Sequence, residues 1–246
     1  MEKSLTELRS KEFTALSELR DREWNKIIKN SKWCNFILNG EYDRRFYAIY
    51  LIETYHYVQH NPKHQALVAT RFESMPSNYM KFCYEHAEEE AGHEMMAFHD
   101  LSNLGVTQDQ DETNMPLPLS STETFIGYLY RISKVGNPLR RLGYSFWAED
   151  SYQYIQTLMQ SVIEKLELNN KHTTFLVSHA AIDEDHAAEI ENMIQKYCKT
   201  EDDWSSVQDV LITSLKLQSE MLDDIVEEYL KLQSDSSTRY SHLINQ

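Results

Sequence analysis

Residues 85–101 read EHAEEEAGHEMMAFHDL, a helix-forming run with carboxylates and histidines at helical spacing. At about 100° per residue, His86, Glu89 or Glu90, His93 and Ala97 share one stripe, while Glu85, Glu88 and Met95 point elsewhere. Glu90 and His93 thus form a Glu-x-x-His pair whose oxygen and imidazole nitrogen can reach one ion from adjacent turns. A glutamate-rich helix standing alone is ordinarily a solvated face. This one is not alone, because residues 178–193, SHAAIDEDHAAEIENM, place His179, Asp183 and His186 at i, i+4 and i+7. That second stripe is apolar above and below, with Phe175 and Leu176 a turn earlier and Ile190 a turn later. Three polar groups on such a stripe would cost several kcal/mol without a strong partner, and a shared cation is the simplest one. The competing reading is a satisfied core histidine or an inter-helix salt bridge.

Working outward, the chain predicts helix after helix. Only six glycines and five prolines occur, and each proline sits where one helical pattern ends and the next begins. The expected helices run over about residues 4–29, then to a stop at Asn39-Gly40, and over 41–59, 62–74, 77–103, 121–135, 138–168, 178–193 and 202–232. A polar, frayed tail is expected from about residue 234. Residues 106–120, with two prolines and several acids, form the longest irregular connection and are a candidate border of a substrate entrance. The helix over 41–59 carries a further Glu-x-x-His pair, Glu53 and His56, among tyrosines, where a ligand and a hydrogen-bonded core network are equally good readings. Glu149 follows the nearly unbroken apolar run 142–148 and is expected to face inward.

With 246 residues, 41% of them hydrophobic, the chain can build a substantial core and is read as one domain, 1–246. The formal charge of −15 and the absence of a basic patch argue against nucleic acid or an anionic membrane surface as partner. Cys34, Cys83 and Cys198 lack metal-finger or redox spacing and are read as reduced core thiols. The charged start MEKSLTELRSKEF and the lack of any run of 18 apolar residues lead us to expect a soluble, cytoplasmic protein.

Together, the helices offer a carboxylate at Glu53, the pair Glu90 and His93, a carboxylate at Glu149, and Asp183 with His186, preceded by His179. Helical bundles hold two metal ions with such sets, carboxylates bridging and histidines capping. Oxygen and imidazole donors without thiolate suit iron, with manganese as the alternative, and the number of carboxylates disfavours zinc. Without cations, clustered carboxylates repel by roughly 1–4 kcal/mol per close pair.

These residues resemble the haem-oxygenase-like diiron oxidases and oxygenases, an all-helical superfamily of iron-containing redox enzymes. The likeness covers residues 41–193. It rests on ETYHYVQHNPKHQALV (53–68), HAEEEAGHEMMAFHDL (86–101), GNPLRRLGYSFWAED (136–150) and, above all, on His179, Asp183 and His186. The resemblance implies an all-α bundle of about seven helices and a site of Glu90, His93, Glu149, His179, Asp183 and His186, with Glu53 as an additional ligand. Because 88–90 are all glutamate and His86 is close by, the ligand that completes the set on this helix stays open among Glu88, Glu89, Glu90 and His86. It further implies two iron ions, O2 as co-substrate, an external electron donor, and a small-molecule substrate such as an amine or amino-acid-derived metabolite, oxygenated at nitrogen or cleaved at a C–C bond. A homodimer is the expected assembly. Tyr55, Tyr57, Phe146, Trp147 and Tyr152 are candidate pocket walls, and Arg140 and Arg141 candidate partners for a substrate carboxylate. The alternatives from other classes are a ferritin-like iron-storage protein and a thiaminase-like member of the fold with a cysteine nucleophile.

Overall fold

The computed structural model describes residues 2–71, 75–106 and 115–244, with side chains at all of these except 2–10 and 178–185. The helices are α1 (Glu2–Asn30), α2 (Lys32–Asn39), α3 (Arg44–Val58), α4 (Asn61–Ala69), α5 (Ser77–Glu89), α6 (Glu94–Leu104), α7 (Ser120–Lys134), α8 (Leu142–Ala148), α9 (Ser151–Lys165), α10 (Thr174–Tyr197) and α11 (Glu201–Gln233), with a short 3-10 helix at Pro138–Arg141. The described residues contain no strand. The all-helical expectation therefore holds, and most boundaries fall where capping residues stand. Ser31 accepts from the amide of Cys34 to start α2, and Asp43 accepts from that of Arg45 to start α3. Thr200 and Asp203 form a reciprocal capping box at the head of α11.

The long α11 is the spine, touching α1, α2, α3, α7 and α8. Its buried stripe includes Trp204, Val207, Leu211, Leu215, Leu222, Ile225 and Tyr229, and full burial of one such side chain stabilises by about 1.5–3 kcal/mol. Helix α8 lies unusually close to this spine because residue 143 is glycine. A Cβ there would collide with the Val207 carbonyl oxygen and lie 2.9 Å from the Leu211 nitrogen. Buried side chains from Leu16 to Leu243 belong to one core cluster.

Three expectations are corrected. The helix expected over 77–103 is two helices, broken by a turn at Glu90–His93 in which Gly92 adopts φ 98°, a conformation that costs glycine little. The helix expected over 138–168 is also broken, at Glu149 and Asp150. No glycine or proline stands at that break; Asp150 instead forms an ion pair with Arg20 of α1, at 2.5 Å. Through Ile244 the tail is held rather than frayed. Tyr240 and Leu243 are buried, and the Ile244 amide donates to the Val106 carbonyl at 2.8 Å. Among the described residues, no helix is long and apolar enough to cross a membrane.

Candidate metal centre

Both helix breaks sit at the candidate site. Glu90 caps the C-terminus of α5 and Glu149 that of α8, so each carboxylate projects from a turn. His86 comes from the last turn of α5 and His186 from the middle of α10. The start of α10 is held from outside itself: Asp100 of α6 accepts from the Thr174 and Phe175 amides, each at 2.9 Å. A buried carboxylate thereby satisfies two of the orphan donors at that helix start.

His86, Glu90, Glu149 and His186 are all buried, and each offers one donor atom within 4.8 Å of every other. His86 Nε2 lies 3.3 Å from Glu149 Oε1, and His186 Nδ1 lies 3.5 Å from Glu149 Oε2 and 3.8 Å from Glu90 Oε1. The two imidazoles stand edge to face, with centroids 4.9 Å apart. An ion holding nitrogen and oxygen donors at roughly 2.0–2.2 Å keeps them roughly 3.0–3.6 Å apart, so most of these separations match donors around a shared cation. The donor set fits iron: two carboxylates, two imidazoles and no thiolate. Glu149, joined by the fields of Glu90 and Glu89, pushes the pKa of His186 up to about 9 against the opposing effect of burial. In the absence of metal, the acidic cluster stabilises a proton on this imidazole.

The surroundings orient the donors. The Tyr144 hydroxyl donates to Asn61 Oδ1 at 3.0 Å, and Asn61 Nδ2 reaches Glu90 Oε2 at 3.4 Å. Such outer partners fix the orientation of ligating carboxylates. The His86 ring stacks on Phe82 at 11°.

The expected ligands divide into four groups. Glu90, Glu149 and His186 come together, and His86, left open in the sequence alongside the three glutamates, joins them from one turn before Glu90. His93 stands beside the cluster, its Nδ1 3.4 Å from Glu90 Oε1. Glu89 reaches His186 Nε2 at 3.2 Å from the exposed side, whereas Glu88 is exposed. The side chains of His179 and Asp183 lie outside the described residues. Glu53 is not part of the cluster: its carboxylate accepts from the Thr122 hydroxyl, from the Leu119 amide at 3.0 Å and from the Tyr240 hydroxyl at 2.5 Å. His56 also turns elsewhere, to the Pro116 carbonyl at 2.7 Å.

Beside Glu149 opens a cavity of about 90 Å³. Of the candidate walls, Tyr57, Trp147 and Tyr152 line it, together with Trp24 and Trp33. Phe146 packs instead on Phe13 beneath Arg20, and Tyr55 on Phe98. Neither candidate arginine reaches the cavity. Arg141 is buried against His64 and Ser145, and Arg140 donates to the Val135 carbonyl at 3.3 Å. Burial pushes the thiols up, Cys83 to about 11 and Cys198 to about 12, and raises Cys34 as well. Such thiols are poor nucleophiles at neutral pH.

A family model described as iron-containing redox enzyme matches residues 48–217. A crystal structure from Shewanella denitrificans, of a domain of unknown function with a heme oxygenase-like fold, is 42% identical. It superposes with a TM-score of 0.87, over 91% of this chain and 96% of that one. A TenA homologue from Pyrococcus furiosus shares the fold at 15% identity and TM-score 0.67, over 87% of this chain and 98% of that one. A TenA family transcription regulator from Silicibacter does so at 12% and 0.66, over 86% and 96%. No curated protein matches the sequence.

Proposed function

This chain belongs to the family of iron-containing redox enzymes, and on that premise we propose that it is a non-haem diiron oxygenase or oxidase acting on a small organic substrate, an amine or an amino-acid-derived metabolite. The observation that carries this reading is the buried group of His86, Glu90, Glu149 and His186 with donor atoms within 4.8 Å of one another. In the proposal these four hold iron together with His93, His179 and Asp183, and Glu53 is left out of the set because its oxygens are engaged elsewhere.

When bound, iron supplies the electrons and Lewis acidity that O2 chemistry requires. The protein's own part is positional and electrostatic. Glu90 and Glu149 supply negative charge where water is excluded, Asn61 and Tyr144 hold Glu90, and His186 gives up its proton when a cation takes the proton's place. Glu149 also forms part of the cavity wall, so a molecule seated there is next to a proposed ligand. The cluster, with an organic-sized cavity against it, supports a substrate enzyme over iron storage, and the raised thiols disfavour a cysteine nucleophile.

The test begins with Fe(II) titration of the full chain without oxygen, for which we expect about two ions per chain. Mixing with O2 should then leave the iron in place, with a visible absorbance transient that changes when a cognate amine or amino-acid derivative is present. Fewer than two ions would remove the diiron reading. Continuous consumption of Fe(II) into a mineral, indifferent to every organic candidate, would favour storage.

A further inference from the structure

A row of oxidisable rings leads from the candidate metal centre to the surface. Its inner end is Tyr144 of α8, tied to Glu90 through Asn61. The Tyr144 ring meets Trp147 of the same helix edge to face, with centroids 5.3 Å apart, and Trp147 meets Trp24 of α1 at 5.9 Å. Trp24 then stacks on Tyr154 of α9, at 5.1 Å and 8°. Tyr144, Trp147 and Trp24 are buried, whereas Tyr154 is half-buried and its hydroxyl donates to the exposed Asp21. Four rings from three helices thus run in contact from beside a buried carboxylate to solvent. Packing accounts for rings in contact. It does not account for the order of their polar partners.

Tyrosine and tryptophan are the aromatic side chains most easily oxidised by one electron, and tyrosine yields its electron readily only where a base takes the phenolic proton. The Tyr144 hydroxyl donates to Asn61 Oδ1, an amide oxygen and a very weak base. The Trp147 indole N–H donates to the Ser214 hydroxyl oxygen at 2.8 Å, and that of Trp24 has no hydrogen-bond partner among the described residues. Both indoles therefore keep their protons, and an electron vacancy on either passes on. At the outer end, Tyr154 faces a carboxylate over a hydrogen bond already made, so the vacancy comes to rest there. Electron tunnelling weakens exponentially with distance, and steps between touching rings outpace one jump across the bundle. Other rows of rings leave the site through rings that resist oxidation. His86 leads to Tyr79 by way of Phe82, and Tyr144 leads to Tyr57 by way of Phe125. Tyr144 leads to Tyr130 by way of His64, which stands beside the Arg141 guanidinium.

We propose that Tyr154, Trp24 and Trp147, with Tyr144 bridging the last gap, form a relay that carries single electrons inward from the surface to the oxidised metal centre, and that a small thiol is the electron source. One electron leaves the Tyr154 ring for each one gained at the centre, and the phenolic proton of Tyr154 moves to Asp21. A thiolate in solution then gives one electron to the Tyr154 radical, and Asp21 returns the proton. Two of the resulting thiyl radicals pair as a disulfide. Such a relay supplies the external electrons that an oxygenase consumes, and it drains the centre when no substrate is seated. The inference rests on the oxygenase reading for the oxidant at its inner end, whereas the ring pathway is measurable without iron.

The experiment has two arms, both on the full-length protein. In the first, a UV laser flash ionises tryptophan in the iron-free chain, and transient absorption follows the indole radicals and the tyrosyl radical that replaces them. We expect first-order conversion at a rate independent of protein concentration. Tyr154→Phe should lower the tyrosyl yield by about half, because two of the four tryptophans belong to the row. Asp21→Asn, a change at an exposed position, should slow the Tyr154 component at least about tenfold by removing the base. In the second arm, anaerobic Fe(II)-loaded protein of measured iron content is mixed with O2 without an organic substrate, then freeze-quenched for electron paramagnetic resonance. We expect a tyrosyl signal that narrows with ring-deuterated tyrosine, decays faster as glutathione is added, and is lost in Tyr154→Phe and in Trp24→Phe. Flash yields and rates unchanged in Tyr154→Phe and Asp21→Asn would overturn the proposal. So would a signal in the iron-loaded protein that survives Tyr154→Phe or ignores glutathione, or O2 consumption with no tyrosyl radical. A chain that shows the flash-driven transfer but holds no iron, or whose iron ignores O2, would instead overturn the oxygenase reading and leave the ring pathway standing.

Discussion

Two sets of buried glutamates sit in this bundle and differ in what faces them. Glu53 is fully buried, and hydroxyl and amide donors of its own chain occupy its oxygens: Thr122, Leu119 and Tyr240. Glu90 and Glu149 are also buried, but imidazoles face them at 3.3–3.8 Å. A carboxylate whose lone pairs meet short donors is a structural element. One set among loosely spaced imidazoles is ready for a cation. Both kinds arise from the same residue type on an apolar helix, so burial alone does not identify a ligand.

The largest expected effect separates the two sets directly. Glu53→Ala leaves three donors without an acceptor and opens a void, and should destabilise the fold by about 3–5 kcal/mol in denaturant titrations, while the folded fraction keeps its iron stoichiometry. Glu149→Ala should lose at least one ion per chain, while its metal-free fold loses only the pairing with protonated His186, a cost that disappears as pH rises through about 9. If Glu53→Ala instead abolished iron binding in a folded protein, the division between the sets would collapse.

A second expectation concerns pH. His186 has a folded-state pKa of about 9, above the ordinary value of about 6.5. Its contribution to metal-free stability is therefore fully present below about pH 6.5 and is lost as pH rises through about 9, a difference of up to about 3 kcal/mol between wild type and His186→Ala. Iron affinity should run the other way, rising over the same window as the competing proton leaves. Parallel pH series of chemical denaturation and metal titration check both slopes, and parallel rather than opposed slopes would show that His186 is no ligand.

Tyr240→Phe removes one hydroxyl from Glu53 and should cost about 2 kcal/mol, as expected for a hydrogen bond to a charged group, without moving the iron count. Smallest of the four, Asn61→Ala should cost about 1 kcal/mol of stability by leaving the buried Tyr144 hydroxyl without its acceptor, and should weaken iron binding by about tenfold, or about 1.4 kcal/mol, by freeing Glu90 to rotate. Equal iron affinity in that variant would mean that Glu90 needs no support from the Tyr144–Asn61 chain.

The sequence by itself determined the all-helical architecture, because prolines, capping residues and apolar periodicity are local signals that act within a turn or two. Pro138 opens a helical turn where the sequence places a start, and the expected stop at Asn39-Gly40 ends α2. It also determined the chemistry on offer: Glu149 and His186 are buried as expected, and of the open pair Glu89 and Glu90 the structure buries Glu90. Tertiary structure decided which carboxylates meet which partners. Tyr240 reaches Glu53 across 187 positions, and no periodicity within either helix carries that information. The break after Glu149, which turns its carboxylate toward His86, comes with an ion pair between Asp150 and Arg20, far upstream in the chain. Gly92 hinted at the other break, yet a glycine within a helical pattern is often tolerated, and only packing settled that the helix ends at Glu89. Spacing along a helix fixes direction, whereas the distance between two helices is set by what packs between them, such as the bare backbone of Gly143 against the Val207 carbonyl.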